Sequence, residues 1–165
     1  DMQLTVTLAL AAEQPLELRT LTLTLPAGSQ RTVALTVFVP IALNDAAVHE
    51  SHPAFSKLFV QTAFDAASGT LIAQRRARGN SDPSPCMMAR LDGPGELDWE
   101  TDRIGFIGRG CALDLPAGVQ DGLTRRGDNV LDPCFALQRR FTLHGGETQH
   151  FRWVLGAAED RGRRT

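Results

Sequence analysis

The chain has 165 residues and a formal net charge of −2. This length is typical of one domain, spanning residues 1–165, which buries roughly two thirds of the surface that the unfolded chain exposes. The charge excludes the cationic field that a nucleic acid backbone or an acidic membrane would require. We therefore expect no nucleic acid partner and no membrane contact by this segment.

The first three predicted elements are strands with alternating apolar residues. Leu4 to Leu10 form one apolar face of the first strand, an alternation that is not typical of a signal peptide. In the second strand, Leu16 and Leu18 differ in phase from Leu21 to Leu25, which predicts a bulge near Arg19 or Thr20. Pro26 to Ser29 then predicts a turn to the third strand, Val33 to Val39, as an antiparallel neighbour.

The middle of the chain continues the pattern. Residues 44–57 could hold a short helical turn, and the next two strands, 58–64 and 71–74, form a predicted hairpin around the loop 65–70. The segment 79–85 is rich in Pro, Ser and Gly.

Short strands resume in the second half of the chain, at 87–91 and 96–103, and the segment 111–130 has the composition of a loop. Finally, Phe135 to Leu143 and Phe151 to Leu155 alternate across His144 to Glu147, which predicts a second hairpin. Many short strands with regular turns predict an all-β, antiparallel sandwich. The C-terminal residues 161–165 have no capping element, and we expect the sequence to be a fragment of a larger multidomain enzyme.

Four carboxylates alternate along one predicted strand, at Glu96, Asp98, Glu100 and Asp102. In an extended strand they share one face, while Leu97, Trp99 and Thr101 share the other, which we expect to meet the core. Neighbouring carboxylates on one face are roughly 6.5–7 Å apart, a spacing that suits a glycosidase acid pair. Alternating charges also protect a strand edge from unwanted pairing, and this second interpretation is favoured.

Two arginines follow this acidic strand. Arg103 and Arg109 carry planar guanidinium groups that can bind a carboxylate, sugar hydroxyls or phosphate. The pattern favours internal salt bridges with Glu100 and Asp102, and ligand contact is the alternative. Gly105, Gly108 and Gly110 have the wrong order for a dinucleotide-binding fingerprint.

Other polar residues have structural interpretations. His49 and His52 lie beside Glu50 without further ligands at a metal-binding spacing, which favours an exposed turn over a metal site. The basic run 74–78 is interpreted as a solvated strand end. Trp99 and Trp153 share faces with apolar residues and are predicted to be core residues, which weakens the case for an autonomous carbohydrate module. We predict no metal and no cofactor.

The cysteines Cys86, Cys111 and Cys134 are an odd number at wide spacings. They fit neither a disulfide framework nor a CxxC metal site, and they favour a reducing, cytoplasmic compartment.

Three blocks carry a resemblance to a known family. They are Ser51 to Val60, Glu100 to Arg103 with Phe106 to Gly110, and Leu131 to Arg140. In order and spacing they resemble the β-sandwich domain of cyclic β-1,2-glucan synthases, in the part that is similar to cellobiose and chitobiose phosphorylases. Residues 51–160 match best, and residues 1–50 agree in strand pattern only. Cys86 to Met88 and Leu123 to Gly127 depart from the composition of relatives.

The resemblance implies a galactose-mutarotase-like supersandwich that precedes an (α/α)6 barrel of the same polypeptide. In that family the barrel carries the general acid aspartate, and phosphate attacks the anomeric carbon with inversion. The sandwich supports the barrel, shapes dimers and lends loops near the sugar site. Glu100, Asp102, Arg103 and Arg109 are the matching positions for residues that anchor loops or border the carbohydrate site.

These observations predict a carbohydrate-associated sandwich domain without catalytic residues of its own. It would be part of a bacterial β-glucan synthase or inverting phosphorylase whose chemistry lies in the barrel. The implied partners are that barrel, a β-glucan oligosaccharide reached through the parent enzyme, and a second subunit in a homodimer. The parent could be anchored at the bacterial inner membrane. The alternatives are a self-contained carbohydrate-binding module and a purely structural or dimerisation domain.

Overall fold

The computed structural model describes residues 1–77, 79 and 82–159, and most of these form antiparallel strands. The strands are β1 (Gln3–Leu10), β2 (Leu16–Thr24), β3 (Gln30–Pro40), β4 (Val60–Asp65), β5 (Thr70–Arg75), β6 (Cys86–Asp92), β7 (Glu96–Asp102), β8 (Pro133–His144) and β9 (Thr148–Ala158). The short helices are α1 (Ala46–Ser51), α2 (Pro53–Lys57), α3 (Arg103–Ile107) and α4 (Ala117–Asp121). The predicted all-β class is confirmed. Arg78, Asn80, Ser81 and the predicted tail 161–165 lie outside the described residues.

The strands form two sheets that face each other. The larger, sheet A, has six strands in the order β1-β2-β9-β6-β5-β4, and the smaller, sheet B, has three in the order β3-β8-β7. Every pairing between these strands is antiparallel. This arrangement is the sandwich that the alternating sequence predicted.

Two of the predicted hairpins are wrong, because their strands lie in different sheets. β2 belongs to sheet A and β3 to sheet B, and β8 and β9 are divided in the same way. β2 instead pairs with β9, and β3 pairs with β8. The chain therefore passes from one sheet to the other at 25–29 and again at 145–147. Strands that we predicted to be neighbours in one sheet instead face each other across the sandwich.

The two crossings touch each other. Gly146 donates its N–H to the Leu25 carbonyl at 2.8 Å, and Leu25 donates to the Glu147 carbonyl at 3.2 Å. Gly145 lies so close to the first crossing that a Cβ atom there would come within 2.7 Å of the Gly28 nitrogen. The contact fixes the two sheets relative to each other at this end of the sandwich.

The bulge predicted near Arg19 or Thr20 is also wrong. β2 pairs without interruption with β1 on one side and β9 on the other. Leu21 and Leu23 face the core, and Leu16 and Leu18 keep the opposite phase and are half-buried on the outer face. The phase change reflects a strand with apolar residues on both faces rather than an inserted residue.

The core lies between the sheets and contains residues from almost every strand. Phe135, Leu137 and Leu143 of β8 face Phe151 and Trp153 of β9, and all five are buried. The prediction of Trp153 as a core residue is confirmed. Trp99 is half-buried and stacks on Phe64 with ring centroids 4.8 Å apart, so it borders the same core.

The hairpin of β4 and β5 is confirmed, with its loop close to the predicted bounds. The basic run 74–78, predicted to be a solvated strand end, is exposed at Arg76 and Ala77 but not at Arg75, and Arg78 lies outside the described residues. Arg75 is buried, donates to the Ser56 carbonyl at 3.0 Å and lies over the Phe59 ring. It fastens α2 to sheet A. The described helices have five or six residues, and none has the length and apolar character to cross a bilayer.

Candidate functional site

The predicted site residues lie where β7 ends and α3 begins. Glu100 pairs with Ala136, but Asp102 pairs with Pro133, so the register shifts between them. The shift is a β-bulge, which redirects the side chains at the strand end. Asp102 then caps α3 by accepting the Ile104 N–H at 3.1 Å. Bulge and cap together place three charged side chains, Glu100, Asp102 and Arg103, at one corner of the sandwich.

Glu100 is wholly buried, with 0% of its surface exposed. One carboxylate oxygen accepts the N–H groups of Thr101 and Asp102, each at 2.8 Å. The other accepts the N–H of Thr124 at 3.3 Å and the Thr124 hydroxyl. Hydrogen bonds to charged acceptors are strong and can compensate for the loss of hydration on burial.

The predicted solvent-facing acidic strip is therefore wrong at its C-terminal half. Glu96 is exposed and Asp98 is half-buried, but Glu100 and Asp102 are buried. The strand continues inward under the loop 123–128 instead of remaining at the surface. A general acid must reach the atom that it protonates. Glu100 cannot do so here, because four donors from its own chain occupy the carboxylate.

The loop 123–128 is held against β7 by backbone hydrogen bonds and by ion pairs of its side chains. Arg125 donates its N–H to the Trp99 carbonyl at 3.0 Å, and Thr101 donates to the Arg126 carbonyl at 3.1 Å. The Arg125 and Arg126 guanidinium groups bind Asp98 at 2.7 Å and Asp102 at 2.9 Å. The hydrogen bond that Arg125 donates to Asp98 raises the pKa of its guanidinium group. Three alternate carboxylates of the strand thus each have a partner in this one loop.

Arg103 has a different partner from the one predicted. Its guanidinium group lies 3.2 Å from Asp132, whose other oxygen lies 2.5 Å from Lys57 Nζ. The Arg103 N–H also donates to the Asp132 carbonyl at 2.8 Å. The prediction of an internal salt bridge is correct in kind, but the partner is Asp132 rather than Glu100 or Asp102. This network joins α2, α3 and the start of β8.

Arg109 is not part of this cluster. It is exposed in the loop after α3, and among the described residues no hydrogen bond or ion pair joins it to Glu100, Asp102 or Arg103. The structure therefore brings together three of the four predicted site residues.

Sequence reasoning missed several contributors to this corner of the sandwich. Asp132 lies inside one of the three family-like blocks, and Thr124, Arg125 and Arg126 lie in the segment that departs from relatives. Asp132 alone among these residues was therefore part of a family-like block. Nothing in the local sequence indicated that they contact β7.

The solvent-accessible functional groups at this corner of the sandwich are the guanidinium groups of Arg125 and Arg126. The Arg125 and Arg126 side chains are 65% and 61% exposed, although each also binds a carboxylate. Guanidinium donors can bind sugar hydroxyls or anions. The carboxylates lie beneath them, so the outer surface presents donors rather than proton-transferring acids.

Surface cavities lie elsewhere on the molecule. One of about 330 Å³ is on the outer face of sheet A and is lined mainly by apolar groups, including Leu16, Ile72 and Met88. Another, open and more polar, lies beside Asp92 and Arg152. Within the described ranges, no group of three or more His, Cys, Asp or Glu side chains could hold a metal ion. Cys86, Cys111 and Cys134 are free thiols.

The chain is similar to a known domain family and to a known protein. The family model for the supersandwich domain of glycosyl hydrolase 94 matches residues 1–164. Cyclic beta-(1,2)-glucan synthase NdvB from Rhizobium meliloti (strain 1021) is 29% identical to the chain over 170 residues. That alignment covers 98% of the chain and 6% of the synthase.

Proposed function

Because the chain belongs to the supersandwich domain family of glycosyl hydrolase 94, we propose that it is a non-catalytic scaffold domain of a β-glucan synthase or phosphorylase. The glycosyl transfer or phosphorolysis would take place in an (α/α)6 barrel of the same polypeptide. The name of the similar synthase supports a β-1,2-glucan as the substrate class. Three free cysteines support a reducing compartment.

The single observation that carries this proposal is that Glu100 is buried and fully hydrogen-bonded within the chain. It is the most deeply buried carboxylate of the acidic strand, and both of its oxygens accept hydrogen bonds from the chain itself. Asp102, its neighbour, caps α3 and binds Arg126. Inverting glycosidases need one carboxyl group that meets the leaving oxygen and another group that acts on the opposite face of the sugar. The two acids are instead engaged in holding the corner together.

The test is a phosphorolysis assay of the 165-residue chain with β-1,2-glucooligosaccharides and inorganic phosphate. We expect no release of glucose 1-phosphate above that from the heat-denatured protein. Release that follows protein concentration and disappears on denaturation would overturn the proposal. It would require a proton donor within this chain.

A second candidate function is autonomous carbohydrate binding, favoured by the exposed guanidinium groups of Arg125 and Arg126. Titration calorimetry with β-1,2-glucooligosaccharides separates it from the scaffold role. Micromolar affinity that is lost in Arg126→Ala and kept in Arg31→Ala, an exposed arginine of β3, would favour a binding module. A scaffold domain without its barrel should bind no tighter than millimolar.

A further inference from the structure

The first strand carries an apolar face that no described residue covers. With Met2, which directly precedes β1, the face has five side chains that are 41–72% exposed, the others being Leu4, Val6, Leu8 and Leu10. In the pairing of β1 with β2, Val6 lies opposite Leu21 and Leu4 opposite Leu23. Residues opposite each other share a face of the sheet, and Leu21 and Leu23 are buried in the core. The β1 face is therefore an uncovered continuation of the core.

The unequal size of the two sheets explains this exposure. Sheet A has six strands and sheet B has three. The crossing at 25–29 carries the chain from β2 directly to β3, so β3 faces β2 and ends the smaller sheet there. Nothing that the structure describes lies beyond β3, where a further strand of sheet B would face β1.

The edge of sheet B at this position is also unpaired. Among the described strands, β3 pairs with β8 alone. Alternate N–H and C=O groups along its eleven residues therefore point away from β8. An edge of this length can accept another strand.

One kind of occupant can both cover the apolar face of β1 and pair with the free edge of β3. We propose that a β-strand supplied by polypeptide outside residues 1–165 pairs with the free edge of β3 and covers the apolar face of β1. The strand has about eight residues, with apolar side chains at alternate positions facing β1. The similar synthase is far longer than this chain, so a protein of its type has ample polypeptide to supply the strand. This inference goes beyond the proposed scaffold role and does not depend on it.

A second copy of the chain fits this position poorly. In a dimer formed by β3 pairing with its symmetry mate, the partner's third strand would lie over β1. The partner's second strand is joined to its third strand by the same short crossing. It would therefore occupy the place in the sheet A layer that β1 already fills. A single strand or the edge of a hairpin has no such companion.

A designed peptide tests the proposal with the chain as it is. The probe is a blocked, monomeric nonapeptide, Lys-Thr-Val-Thr-Val-Thr-Val-Thr-Lys, titrated by calorimetry and followed by hydrogen exchange. We expect one peptide per chain, with slower exchange at alternate amides of β3. Val6→Asp should weaken binding at least about tenfold, because it places a charge against the apolar strand. Thr7→Asp, on the opposite face of β1, should leave binding unchanged.

Three results of the peptide titration would overturn the proposal. They are no binding at millimolar peptide, binding that Val6→Asp does not weaken, and protection confined to strands other than β3. A stable dimer in sedimentation that Val6→Asp dissociates would also overturn it, since a second copy would then be the occupant. Leu8→Asp repeats the test if Val6→Asp alters the circular dichroism spectrum.

Discussion

Thr124 donates both its backbone N–H and its hydroxyl to the same oxygen of the Glu100 carboxylate. The two residues are 24 positions apart, and the contact closes the loop 123–128 over the end of β7. Since the other Glu100 oxygen binds the N–H groups of the bulge, this one side chain organises both the strand end and the loop.

Replacing Glu100 with Gln should destabilise the fold by about 2–4 kcal/mol. The amide has one acceptor oxygen in place of two, and its NH₂ group would face N–H donors that are buried with it. Urea unfolding followed by tryptophan fluorescence measures the loss. Glu96→Gln, at an exposed position of the same strand, is the control and should change stability by less than about 0.5 kcal/mol. Equal effects at the two positions would contradict this role of Glu100.

Arg103 and Arg109 should differ in their contribution to stability. Arg103→Ala removes one of two cations from Asp132 and should cost about 1 kcal/mol, a modest value because the Arg103 side chain is partly exposed. Arg109→Ala removes an exposed side chain and should cost less than about 0.5 kcal/mol. Unfolding at low and high salt checks the electrostatic origin, since salt should reduce only the Arg103 effect. A larger loss from Arg109→Ala would refute the assignment.

Gly145→Ala should destabilise the sandwich by about 1–3 kcal/mol or prevent folding. The new methyl group would meet the backbone nitrogens of Gly28 and Ser29 at 2.7 and 2.8 Å, and these cannot move without displacing the other crossing. Thermal unfolding of Gly145→Ala and of Gly79→Ala, whose Cβ would meet nothing within 4 Å, provides the comparison. A Gly145→Ala protein as stable as the wild type would show that the crossings are not in tight contact.

Stability should fall in alkaline solution because of Cys134. Burial raises the pKa of this thiol, and the nearby carboxylates of Glu100 and Asp102 raise it further. The unfolded thiol loses its proton above about pH 9 while the folded one keeps it, so the unfolded state binds fewer protons. Stability that is fully present below pH 9 is therefore lost at about 1.4 kcal/mol per pH unit above it.

The composition makes this alkaline window easy to measure, since the chain has no tyrosine and a single lysine, Lys57. Cys134→Ala should have a shallower dependence of unfolding free energy on pH between about pH 9 and 10 than the wild type. Cys111→Ala, which removes an exposed thiol, should follow the wild-type slope. Parallel curves for Cys134→Ala and the wild type would contradict the raised pKa.

The strands were predictable from the sequence, but two of their pairings were not. Alternation identifies which residues of β8 and β9 share a face, and the short glycine-containing link predicts a reversal of direction. A reversal within one sheet and a crossing between two sheets use similar residues. The apolar faces of β8 and β9 decide between them, because they bury each other only when they face across the core.

The burial of Glu100 could not be predicted for a related reason. Alternation along β7 places Glu100 beside Asp98 on one face, and only the bulge and the distant loop show that the face changes from exposed to covered. The donors are two N–H groups of the bulge and one threonine far along the chain. Arg103 shows the same limit, since its charge predicted an ion pair but its partner, Asp132, lies 29 positions away.

The position of β9 has a consequence for synthesis on the ribosome. β1 and β2 form a hairpin, β4 to β6 form a meander, and among the described strands of sheet A the two are joined only through β9. Because β9 is made after the other five strands of sheet A, the two parts of that sheet have no backbone hydrogen bonds to each other until residue 158 has left the exit tunnel. Until then the edges of β2 and β6 that will receive β9 stay unpaired, and β9 joins the two parts.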